Sequence, residues 1–189
     1  MNLIQLRQQC LNQQLPIMSE EVLDFIVELI NHYQLVSVLE LGSCWGYSAL
    51  VLASQSAISL VSIEKDFERH IQARYHVRAF GYENRINMVY DDALVYQPED
   101  VFDLIIIDAA KAQYQAFVDR YEPFLKTGGF MVVDNTNFHG LVAEKEVQKS
   151  LKTMVNALKT FQKSIQRDSR FRFQSYDIGD GLIVLQKIV

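Results

Sequence analysis

The sequence has little of what stapled or fibrous proteins are made of. Its 189 residues hold 2 cysteines, 3 prolines, 8 glycines and 1 tryptophan. Two cysteines, Cys10 and Cys44, make no disulfide framework and read as free thiols of a reducing compartment. Scarce glycine and proline exclude collagen-like and linker-rich chains, and 49% hydrophobic residues exclude disorder. No apolar run approaches the ~18 residues of a membrane span. The densest, Leu104-Ile105-Ile106-Ile107, lies between Asp103 and Asp108. The start, Met1-Asn2-Leu3-Ile4-Gln5-Leu6-Arg7, lacks the basic-then-apolar order of a secretory signal. The expectation is one soluble, cytoplasmic domain over residues 1–189, with residues 1–35 forming N-terminal helices and no membrane partner.

What is present is patterned. Ser19 caps a segment with Val22, Phe25, Ile26, Leu29 and Ile30 at helical spacing, which predicts a helix over Ser19–His32. Short apolar runs come next at Ser37–Leu41, Leu60–Glu64, Ile86–Tyr90, Leu104–Asp108 and Phe130–Asp134. Amphipathic stretches such as Asp66–Phe80 and Lys111–Leu125 separate them. Strands apolar on both faces, alternating with helices, predict a parallel sheet covered on both sides. A long helix is predicted near Val142–Ile165, then a hairpin of Phe171–Ile178 and Leu182–Lys187 around Gly179-Asp180-Gly181. The fold class is therefore α/β, doubly wound and Rossmann-like: a mostly parallel seven-stranded sheet with an antiparallel C-terminal hairpin.

Ligands of open α/β sheets bind beyond the carboxyl ends of the strands. The first strand runs into Glu40-Leu41-Gly42-Ser43-Cys44-Trp45-Gly46-Tyr47-Ser48, where Gly42 permits close approach of a ligand to the backbone. Glu64, 22 residues after Gly42, ends the second strand, where a carboxylate can accept both ribose hydroxyls of a nucleotide-like cofactor. That acid suits NAD and S-adenosylmethionine equally. The loop discriminates: it is G-x-x-x-G with bulky residues between the glycines, unlike the G-x-G-x-x-G that seats a pyrophosphate. Glu40 would repel a pyrophosphate and suits a cofactor with a cationic amino group.

The segment Leu39–Ser48 resembles the cofactor loop of metal-dependent O-methyltransferases of the catechol and caffeoyl-CoA type. The similarity continues through Ile63-Glu64, Asp91-Asp92-Ala93-Leu94, Asp103–Lys111, Gly128-Gly129 and Val133-Asp134-Asn135, in the family's order. It implies the class I methyltransferase fold and S-adenosyl-L-methionine as cofactor. Asp92 and Ala93 are implied on the adenine side, Met18 and Ser48 on the methionine side, and Asp108 also against the cofactor. Met18 reads equally as core. Within the family, Ile107–Tyr114 and Asp134–Val142 look most like bacterial tRNA 5-hydroxyuridine methyltransferases, which methylate the wobble base. Two positions depart from that pattern: His139, where the family has Arg or Lys before the glycine, and Asp91, where it has glycine. A homodimer is also implied.

Asp108, Asp134 and Asn135 offer two carboxylates and an amide oxygen at adjacent strand ends, with no Cys or His among them. Such a set suits Mg²⁺, Mn²⁺ or Ca²⁺ rather than zinc. Three protein ligands leave room for a chelating acceptor. The same acids could instead cap the helices or loops after their strands. Lys111, three residues after Asp108, is a candidate general base where a nearby cation favours the neutral amine, or else a solvated lysine. With Asp108 it forms the expected catalytic pair.

The net charge of −5 argues against a strongly basic nucleic-acid binder, but the charge is uneven. Lys145–Arg172 holds eight Lys/Arg and two acids, hence +6 against −11 elsewhere. On the predicted helix Lys145, Lys149, Lys152, Lys159 and Lys163 fall on one stripe. It is either a solvated face or a track for a phosphate backbone. The expected function is Mg-dependent O-methylation of 5-hydroxyuridine in the tRNA anticodon region. The alternative acceptor is a small catechol or hydroxycinnamoyl compound.

Overall fold

The computed structural model describes residues 1–144 and 146–189. The chain divides into two compact units, Met1–Glu99 and Asp100–Val189.

In the first unit, α1 (Leu3–Asn12) and α2 (Glu20–Tyr33) precede β1 (Ser37–Leu41), α3 (Tyr47–Gln55), β2 (Ser59–Glu64), α4 (Phe67–Ala79) and β3 (Ile86–Tyr90). Ser19 caps α2 by accepting the Val22 amide, and Val22, Leu23, Ile26, Val27 and Ile30 form its buried face. Every residue of α3 from Tyr47 to Ala53 is buried, so this helix lies within the core rather than on it. Strands β1, β2 and β3 pair in parallel, Leu41 opposite Ile63 and Glu64 opposite Tyr90. Gly46 enters α3 at φ +77°, with Ala73 of α4 so close that an added Cβ would lie 3.3 Å from its own. A side chain there would crowd Ala73 and strain the backbone.

The second unit holds β4 (Phe102–Ile107), α5 (Tyr114–Tyr121), β5 (Leu125–Val133), α6 (Lys152–Ile165), β6 (Phe171–Tyr176) and β7 (Leu182–Lys187). Strands β4 and β5 are parallel, while β7 runs antiparallel to both β5 and β6. The sheet has seven strands in the order β3-β2-β1-β4-β5-β7-β6. This is the predicted mixed sheet with its antiparallel terminal hairpin. None of the described helices is long and apolar enough to cross a membrane.

Two elements differ from expectation. The stretch Lys111–Leu125 is not one helix. A 3-10 turn at Lys111–Gln113 leads into α5, and Pro123 turns the chain into a second 3-10 turn before β5. The predicted helix from Val142 begins only at Lys152. Among the described residues of 141–150 none is buried, so no packed face supports helix there. The chain instead makes i→i−3 turns, with Leu141, Ala143 and Glu144 donating to Phe138, Gly140 and Leu141. The lysine stripe shrinks accordingly to Lys152, Lys159 and Lys163. Lys149 precedes the helix, and Lys145 lies outside the described residues.

Candidate active site

In the first unit, acids at two strand ends organise the loop from Gly42 to Gly46. Glu40 is fully buried, and each of its oxygens accepts a hydroxyl proton, one from Ser48 and the other from Ser62. Ser43 and Ser62 hydroxyls lie 2.6 Å apart, extending the cluster under the loop. Burial pushes the Glu40 carboxyl up to about 7, with the Glu64 charge adding to the push and the two hydroxyls opposing it. Glu64 accepts the Cys44 amide at 2.8 Å on one oxygen and the Asp66 amide at 2.9 Å on the other. Each oxygen retains a second lone pair for a hydroxyl donor.

The loop itself is bent through left-handed backbone at Gly42 (φ 101°) and Cys44 (φ 49°). The Trp45 carbonyl lies 2.9 Å from Nδ1 of His76, a buried α4 residue that burial holds below the usual histidine range. Cys44 is buried as well, its thiol pushed up to about 12 by desolvation, so it is no nucleophile. After β3, Asp92 accepts the Leu94 amide at 2.9 Å, and Ala93 is buried beside it. Met18 is buried.

In the second unit, the ends of β4 and β5 bring the expected metal set together. The Asn135 amide nitrogen lies 3.3 Å from Asp108 Oδ1. Asp134 is 2% exposed and accepts the Asn135 backbone amide at 2.6 Å. Burial pushes its carboxyl up to about 7, the Asp108 charge adds to that, and Lys111 opposes it from the following turn. The buried Tyr114 hydroxyl donates to the Asp134 carbonyl at 2.7 Å, pinning the backbone. Asn135 stands at φ 57°, a left-handed conformation that Asn tolerates better than most residues.

The donors are hard oxygens, two of them carboxylates whose mutual repulsion a cation would relieve. The set therefore fits a divalent oxygen-seeking metal. Among the described residues no group of three or more His, Cys, Asp or Glu offers a rival site.

Sequence reasoning missed the residues that hold these groups in place. Ser62 lies 22 positions from Glu40 and carries no motif of its own. Asp180 marks only a turn in the sequence, yet that turn clamps the loop after Asn135. The Thr136 and Asn137 amides donate to the Gly181 and Asp180 carbonyls at 2.9 and 2.8 Å, and the His139 amide donates to Asp180 Oδ1. Gly181 is required there, because a Cβ would come within 2.5 Å of the Asn137 side chain. His139 itself is 80% exposed, its Nδ1 3.6 Å from Asp180 Oδ2.

Comparison with known proteins adds an independent observation. A family model described as O-methyltransferase matches residues 1–188. The caffeoyl-CoA O-methyltransferase of Populus kitakamiensis is 26% identical over 185 residues, which cover 92% of this chain and 77% of that protein. A Staphylococcus aureus crystal structure, described as a candidate caffeoyl-CoA O-methyltransferase, matches with a TM-score of 0.93 and 28% identity. The match covers 99% of this chain and 92% of that one. The O-methyltransferase of Bacillus cereus in complex with SAH shares the fold, with a TM-score of 0.84 and 21% identity over 98% of this chain and 90% of that one.

Proposed function

The chain belongs to the O-methyltransferase family and is an S-adenosylmethionine-dependent methyltransferase; we propose that its acceptor is the 5-hydroxyl of 5-hydroxyuridine at the wobble position of tRNA. The proposal includes a divalent cation, Mg²⁺ by preference and Mn²⁺ or Ca²⁺ by the same donor chemistry, on Asp108, Asp134 and Asn135. The observation that carries the metal is the buried Asp134 carboxyl, destabilised as an anion by burial and by Asp108. A cation there supplies Lewis-acid charge that favours the acceptor oxyanion. S-adenosylmethionine, when bound, would supply a methyl on a positively charged sulfur and would leave as the neutral thioether.

The chain's own residues do the rest. Glu64 accepts the ribose hydroxyls, while Asp92 and Ala93 flank the adenine. Gly42 admits the cofactor to the backbone, Met18 and Ser48 meet the methionine portion, and Glu40 sets the direction of the Ser48 hydroxyl. Asp108 serves both the metal and the methionine end. Lys111 takes the acceptor's proton onto Nζ. Holding donor and acceptor in line removes much of the entropic barrier.

The 5-hydroxyl of the base stands beside its 4-carbonyl, so the pair can chelate as a catechol does. RNA is favoured by the likeness of Asp134–Val142 to the tRNA enzymes and by the cationic segment on α6. A small catechol or hydroxycinnamoyl acceptor is the second reading, favoured by the likeness to the caffeoyl-CoA enzyme. A cytoplasmic homodimer belongs to the same proposal, and sedimentation checks the dimer.

Nucleoside analysis of tRNA from cells lacking the gene tests the acceptor. Loss of methoxyuridine-type nucleosides with hydroxyuridine accumulating supports RNA. Unchanged tRNA together with efficient catechol methylation overturns it.

A further inference from the structure

The second unit contains a cleft that neither the metal set nor the cofactor residues use. Its volume is ≈ 530 Å³, within the range of small-ligand pockets. It exists because the edge strand β6 loses its cover along its length: Phe171 is buried, Phe173 half-buried and Ser175 exposed, all three on one face. Gln162, Lys163 and Gln166 from the end of α6 line it together with Phe173 and Ser175 of β6. Thr136 and Asn137 form its lip. They directly follow Asn135, so at most about 7.6 Å of backbone separates the metal set from this lip.

Three features define what fits. Phe173, on the same face as Phe171 and Ser175, offers aromatic surface of the kind on which bases of any sequence stack. The Gln166 amide offers both a donor and an acceptor, and Asp177 adds a carboxylate that accepts from base N–H groups and excludes phosphate from the interior. Lys163 supplies positive charge at the rim. It continues a row with Lys159 and Lys152, which fall within about 40° of arc at ~100° per residue. No acid occurs from Leu151 to Arg167, in a chain whose net charge is −5. The combination is a mixed polar and aromatic chamber entered along a cationic track, which matches one nucleotide of a single strand with its phosphate outside.

We propose that this cleft receives the nucleotide adjoining the methylated base, its base against Phe173 and its phosphate at Lys163, with the strand continuing past Lys159. The assignment rests on the reading of RNA as acceptor. It makes the cleft a specificity site: it selects an acceptor embedded in RNA over the same base as a free nucleoside.

The test uses the full-length enzyme with two acceptors, an anticodon stem-loop carrying 5-hydroxyuridine and free 5-hydroxyuridine. Lys163→Ala and Phe173→Leu should each raise KM for the stem-loop about tenfold, while the nucleoside is methylated with unchanged kcat and KM. The salt dependence of stem-loop binding should lose about one unit of log–log slope in Lys163→Ala and about two in Lys159→Ala/Lys163→Ala. If the wild type methylates the stem-loop and neither variant changes its KM or salt slope, the cleft assignment is wrong and the RNA reading survives. If the wild type ignores the stem-loop yet methylates catechols, both fall.

Discussion

Glu40 and Asp134 are the same kind of residue in two settings. Each is a buried acid at or beside the end of a parallel strand, and burial pushes each up to about 7. Their surroundings differ. Glu40 has a hydroxyl donor on each oxygen and completes a closed cluster with Ser48, Ser62 and Ser43. Asp134 faces another carboxylate, Asp108, with Lys111 as the opposing charge. The first arrangement is satisfied by the protein alone. The second carries a surplus of negative charge that a bound cation would relieve. Similar displacement of an acid thus accompanies a closed hydrogen-bonded cluster in one unit and an opposed carboxylate in the other.

The comparison breaks most visibly on the metal side. Asp108→Ala and Asp134→Ala should each lower methyl transfer about 10³-fold or more, and stripping the wild type with a chelator should do the same until Mg²⁺ is restored. A fall below tenfold would place the charge pair outside the chemistry. Lys111→Ala should cost about 10²-fold in kcat with little change in KM, read from steady-state kinetics. An equal loss confined to KM would make it a binding residue.

On the other side the effects are smaller. Glu64→Gln should weaken S-adenosylmethionine binding about tenfold by calorimetry, because a charged acceptor of ribose hydroxyls becomes neutral. Glu40→Gln, which keeps an acceptor for the Ser48 hydroxyl but loses the charge, should weaken cofactor binding less than Glu64→Gln does and change the pH dependence of stability. Native Glu40 keeps its proton to about 7, whereas the unfolded chain loses it near the ordinary carboxylate range. The folded state then binds more protons than the unfolded one across that window. Stability falls as pH rises from about 4.5 to 7, by an amount on the order of 3 kcal/mol, and levels off above. Asp134 adds to the same slope, so melting curves of Glu40→Gln should be less steep in pH than those of the wild type rather than flat.

Much of this was readable from residue order. Strands β2, β4 and the end of β5 stand out as short apolar runs, and acids that close such runs are conspicuous: Glu64, Asp108, Asp134. Asn135 and Lys111 follow by adjacency. The start of α6 was not readable, because Val142 and Val147 have helical spacing but nothing to pack on, and only packing separates a real helix from a spaced pair. Nor were Ser62 and Asp180, whose partners lie 22 and 41 residues away in the chain. A hydroxyl under a carboxylate, or a turn clamping a loop, is a product of topology rather than of local pattern. The left-handed backbone at Asn135 and His139 belongs to the same class, since Asp180 and Tyr114 hold it from a distance.

The decisive measurement is a Mn²⁺ titration of the metal-stripped protein followed by electron paramagnetic resonance, which reads the cation without reference to any acceptor. One Mn²⁺ per chain, displaced by Mg²⁺ and lost in Asp134→Ala but kept in Glu40→Gln, is the expected result. Binding that survives in Asp134→Ala, or no stoichiometric binding in the wild type, would contradict the distinction between the two buried acids.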